Sequence, residues 1–162
     1  MTGGKSLLPA LACAAAFVLG GLAGSAEEAS RAQALKTVEL KDMTWVEVRA
    51  ALKEGYKTVL VPTGGIEQNG PHMVLGKHDY IVAWAAREVA LGAGKTLVAP
   101  VVSYVPEGGY GPPTGHMRFP GTIGIPDAAF AGLLEGIARS LKTHGFTLIC
   151  FMGDHGDSQR VQ

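Results

Sequence analysis

The chain predicts an α/β fold with a mainly parallel sheet, and three observations carry that expectation. Apolar runs of helical period alternate with short β-branched runs, in the order helix, strand, helix, strand, helix, strand. Such alternation calls for right-handed crossovers and a sheet covered on both faces. Hydrophobic residues make up 47% and charged residues 17% of the chain, a balance that supplies a buried core and excludes a disordered chain.

The elements follow in order. "TWVEVRAALKEG" reads as a helix. Thr44 and Glu47 have capping-box spacing, Trp45, Val48, Ala51 and Leu52 share a face, and Gly55 can close the end. "TVLVP", residues 58–62, is a buried strand. "YIVAWAAREVALGAG" from Tyr80 is a second helix, ended by Gly92 and Gly94. "TLVAPVVSYV" is the second strand, "IPDAAFAGLLEGIARSLKTHG" the third helix and "FTLICFMG" the third strand. Cys150, inside that last apolar run, reads as a buried strand residue. His144, at the end of the third helix, suits the dipole there.

The first 26 residues stand apart. Lys5 precedes an apolar stretch from Leu7 to Leu22, and Gly24, Ser25 and Ala26 follow. This is the layout of a secretory signal peptide cleaved after Ala26. The run is short for a membrane span and holds Pro9 and several Gly, so no stable membrane anchor is expected. The expected organisation is therefore a signal peptide at 1–26 and one domain at 27–162. The protein would be exported, periplasmic or secreted. Lys plus Arg equals Asp plus Glu at 14 each, which gives no electrostatic reason to expect nucleic acid as a partner.

Three Gly-rich or polar loops, residues 64–79, 106–122 and 154–162, all follow predicted strands. They should open on one edge of the sheet, where folds of this class bind ligands. The first offers Glu67, Asn69, His72, His78 and Asp79; the third offers Asp154, His155 and Asp157. Imidazole with carboxylate suits zinc, manganese or iron and poorly suits calcium, which takes oxygen alone. A metal held there would favour hydrolysis. The middle loop carries His116 and Arg118 as possible substrate or partner contacts, or as packing of the loop itself. Glu107 and Tyr110 are weaker candidates for substrate contact.

Three stretches resemble the creatininase (creatinine amidohydrolase) family. "EQNGPHMVLGKHD" from Glu67 is similar to the family's E-Q-H-G-P-H-L-P-L-G-T-D. "HMRFPGTI" from His116 matches H-x-x-F-P-G-T-I, and "GDHGDS" from Gly153 is a variant of N-G-H-G-G-N. The resemblance implies a three-layer α/β/α fold and a divalent metal site, zinc or manganese, of one or two ions. It implies a water-dependent attack on the C–N bond of a small cyclic or linear, non-peptide amide substrate. It further implies a homo-oligomer, and a chain cut short at its C-terminal side relative to the family.

Carried over residue by residue, it makes Glu67 and His155 catalytic, and Glu67, His78, Asp79, His155 and Asp157 candidate metal ligands. Asn69 and His72 would support them, and His116 and Arg118 would meet the substrate. Asn69 stands where the family has a ligand histidine. His78 stands where the family has a bridging aspartate, so either His78 ligates or a one-residue shift brings in Asp79. A non-catalytic binding or scaffold module of the same fold, or an inactive fragment, is the alternative.

Overall fold

The computed structural model describes residues 35–154 and residue 156. The signal-peptide segment, the start of the lead-in, His155 and Asp157 lie outside the described residues.

Three parallel strands form one sheet in the order β2-β1-β3: β1 is Thr58–Thr63, β2 Thr96–Val98 and β3 Leu148–Gly153. Val59 sits level with Leu97 on one side and with Ile149 on the other. Three helices cover the sheet: α1 Trp45–Lys53, α2 Lys77–Ala93 and α3 Asp127–Thr143.

Strand alternation sorts the core into two halves. Val59, Val61, Leu97, Ile149 and Phe151 share one cluster with Ala51 of α1 and with Phe130 and Leu134 of α3. Leu60, Val98, Cys150 and Met152 share the other with Ala86 and Ala90 of α2. The molecule is thus a layered α/β/α arrangement, with α1 and α3 on one face of a parallel sheet and α2 on the other. β1 is apolar on both faces because both faces are covered.

Local chemistry explains the starts and stops. The Thr44 side chain accepts from the backbone N–H of Glu47, and the Glu47 carboxylate accepts from that of Thr44, so α1 opens on a full capping box.

Three boundaries differ from the sequence expectation. α2 begins at Lys77, not Tyr80, which moves His78 and Asp79 out of the loop and onto the first helical turn. The Asp79 carboxylate accepts from the Gly65 N–H at 3.0 Å, which pins that turn against the chain leaving β1. β2 is three residues long, not ten. Pro100 has no N–H for a ladder, and beyond it a single bridge from Val102 to Thr63 continues the pairing with β1, while Val105 bridges to Gly124 instead. β3 starts at Leu148, while Phe146 turns into the core as a buried plug between α3 and the strand.

The polar lead-in also takes part in the sheet. Val98 donates to the Val38 carbonyl at 2.8 Å, and Glu39 bridges to Val98 beside β2.

Candidate metal centre

The site grows from the three chain segments that leave the C-terminal ends of the strands. After β1 the chain passes Gly64 and Gly65 to Glu67. A side chain at Gly64 would collide with the Asp79 carboxylate, so only glycine lets β1 exit so close to α2. Glu67 is fixed at its backbone by donation to the Leu75 carbonyl, and Ile123 donates to the carbonyl of Ile66. The second contact ties the first loop to the residue just after the middle one.

The middle loop brings Glu107 and His116 together. His116 lies in a short 3-10 helix, Gly115–Arg118, and its N–H donates to the Glu107 carbonyl at 2.9 Å. Gly108, at φ +123°, makes the turn between them; a Cβ there would strike the Thr114 carbonyl. Tyr110 closes the loop from outside by donating its hydroxyl to the Gly124 carbonyl.

The side chains then meet. Glu67 is 3% exposed and Glu107 2%. One Glu67 oxygen, Oε1, lies 2.8 Å from His78 Nε2, and the other, Oε2, lies 2.8 Å from His116 Nδ1. His116 Nδ1 is also 3.2 Å from the Gln68 carbonyl. His78 is buried, and its second nitrogen, Nδ1, pairs with the carboxylate of Asp154, the residue that follows β3. A chain of contacts therefore crosses the sheet edge from β3 through α2 to the loop after β1.

Two carboxyl groups buried side by side are costly unless positive charge or hydrogen bonds compensate them. Potential ligand atoms of Glu67, Glu107 and His116 all lie within 4.8 Å of one another. Donor atoms around one zinc ion, each about 2.0–2.2 Å from it, spread over a similar span. Two carboxylates and an imidazole, buried and converging, fit a divalent zinc or manganese ion.

The expected site residues fall into several groups. Glu67, His78 and His116 come together, with Asp154 beside them. Asp79 turns away to the Gly65 backbone. Asn69 donates its side-chain amide to the Glu67 carbonyl at 3.2 Å, inside its own loop. His72 is exposed. Arg118 is exposed and donates Nε to the Gly115 carbonyl, which shapes the 3-10 turn. Glu107 joins the candidate metal site, whereas the sequence marks it only as a candidate for substrate contact. Its one signal is position: a lone acid just after the apolar run at 96–105 and just before a Gly pair.

The sequence model of the creatininase family (creatinine amidohydrolase) matches residues 41–162. The chain belongs to the creatininase family. Within that family it is 30% identical over 123 residues to a creatinine amidohydrolase of Pseudomonas putida, covering 74% of this chain and 45% of the relative. It is 37% identical over 103 residues to a mycofactocin precursor peptide peptidase of Mycolicibacterium smegmatis, covering 60% of this chain and 39% of the relative. A solved creatininase variant described as Zn-Zn type superposes with a TM-score of 0.70 at 28% identity, over 78% of this chain and 48% of that one. The chain thus spans less than half the length of these creatininase relatives.

Proposed function

We propose that this chain is a metal-dependent amidohydrolase of creatininase type, acting on the C–N bond of an amide. The observation that carries the reading is the buried convergence of Glu67, Glu107 and His116 at the sheet edge where ligands of α/β folds bind. The names of the family relatives, an amidohydrolase and a peptidase, support hydrolysis of an amide bond.

Glu67, Glu107 and His116 would hold the ion, with His155 and Asp157 of the segment after β3 as the further ligands that the sequence resemblance suggests. The ion, zinc or manganese, would polarise the scissile carbonyl and make water a nucleophile near neutral pH. The chain's own residues do the positioning. His78 and His116 hold the two oxygens of Glu67 in fixed directions. The backbone bond from His116 to Glu107 keeps the imidazole and the second carboxylate in register. The substrate class we favour is a small cyclic or linear amide, with a short peptide amide as the competitor.

The test is metal content and chelator-sensitive hydrolysis of the purified protein, with creatinine and short peptide amides as probes. Bound zinc or manganese, lost in Glu67→Gln and His116→Ala, and hydrolysis that stops with chelator and returns with metal, would support the reading. Absence of bound metal after reconstitution with either ion would overturn it. It would leave the non-catalytic module, a reading favoured by Asn69, which stands at a family ligand position and is spent on its own loop.

We also propose export, on the signal-like residues 1–26. A mature protein beginning at residue 27 in the periplasm or medium is the expected result, and an intact Met1 in the cytosol would overturn it. A homo-oligomer with no membrane anchor is proposed with it, and light scattering of the mature protein checks that.

A further inference from the structure

Thr122 is 9% exposed, and among the described residues its hydroxyl oxygen has no hydrogen-bond partner. A buried hydroxyl left unpaired costs stability, so native folds rarely keep one without a use. The surroundings of Thr122 supply the use. Ile66 and Ile123 form an antiparallel bridge. The next residues along, Glu67 and Thr122, stand opposite one another, with their side chains on the face that Ile66 and Ile123 turn away from. Burial agrees with that alternation: Glu67 is 3% exposed, while Ile123 is 47% exposed. Gly124, two residues beyond Thr122 along the same extended stretch, shares its face. A Cβ at Gly124 would lie 2.8 Å from the Glu107 Cβ. Thr122 thus shares one buried face with the two carboxylates of the candidate metal centre.

We infer that Thr122 is a substrate-binding residue, whose hydroxyl takes the amide group of the molecule that reaches the ion. The inference rests on the metal-dependent amidohydrolase reading above and assigns one more group to the same site. A hydroxyl both donates and accepts, which suits an amide with its carbonyl acceptor and N–H donor. Glu67, Glu107 and His116 are spent on the ion in that reading, so Thr122 is the neutral polar group beside them. A site built to hydrogen-bond its substrate holds polar groups that stay unpaired until the substrate arrives.

The test compares Thr122→Val, which removes the hydroxyl, with Thr122→Ser, which keeps it. The probe is acetohydroxamate, a small compound that carries an amide group and binds divalent metals. It is titrated calorimetrically into Zn²⁺-loaded protein, and urea denaturation is followed on the same three proteins. Wild type and Thr122→Ser should bind the probe alike. Thr122→Val should bind it roughly tenfold more weakly, with unchanged zinc content. Its urea midpoint should equal or exceed that of wild type, because an unpaired buried hydroxyl is removed.

Equal affinity in wild type and Thr122→Val would overturn the inference. So would a lower urea midpoint or a failure to fold in Thr122→Val, since the hydroxyl would then be serving the fold. Zinc-loaded wild type that takes no acetohydroxamate would overturn it too, while leaving the metal site standing. Wild type that holds no zinc or manganese would overturn the metal reading beneath it, so the two failures are distinct.

Discussion

Gly64 and Asp79 show how single residues set the site from outside it. Asp79 looks like a ligand in the sequence because it follows His78 in a family motif. In the fold it holds the Gly65 N–H and packs where a Gly64 side chain would be. Asp79→Ala removes an acceptor from a partly buried donor and should cost about 1–3 kcal/mol. Urea denaturation would show this, while the bound-metal count stays at the wild-type value. Gly64→Ala forces β1 and α2 apart and should cost about 1–3 kcal/mol, the usual range for overpacking. A Gly64→Ala protein as stable as wild type in urea would sink this account of the β1 exit. Glu107 is the converse case. Nothing beside it in the sequence advertises a metal site, because Glu67 comes from another loop and His116 lies nine residues further along its own.

At the scale of elements, the helices and the central strand were legible because their signals are local. The Thr44–Glu47 pair is a capping box in the sequence and in the fold. The backbone N–H of Thr44, then its hydroxyl, hold the Glu47 carboxyl below the ordinary carboxylate range. A pKa lowered by folding stabilises above the unfolded value and is lost as pH falls through the folded one. The difference in melting temperature between wild type and Glu47→Gln should therefore be largest near neutral pH. It should shrink as the pH drops below the usual glutamate range, and a gap independent of pH would contradict the cap. Phe130 of α3 is fully buried against the sheet, so Phe130→Ala should cost about 3–5 kcal/mol by chemical denaturation. The second strand was the element misjudged in length. Its apolar composition continues past Val98, but ladder pairing ends where Pro100 withholds a donor.

At the scale of the molecule, the sheet edge gathers the loops, and metal binding should couple to folding. If the native state alone binds the ion, metal at about 100 times its dissociation constant adds about 2.7 kcal/mol of stability. Thermal melts of metal-loaded protein should shift upward and return with chelator. A melting temperature indifferent to both would count against a folded-state site.

The sequence by itself determined the layer order and the parallel sheet, because hydrophobic period and strand–helix alternation are written in consecutive residues. It also determined that histidines and carboxylates would gather at one end, since every unusual loop follows a strand. Only the tertiary structure decided which of them meet. Glu67, His78, Glu107, His116 and Asp154 come from four separate segments, and their distances depend on how those segments pack. His78 rather than Asp79 faces Glu67 because α2 begins at Lys77. One residue along a helix turns a side chain by about 100°, and that rotation is set by what the helix packs against.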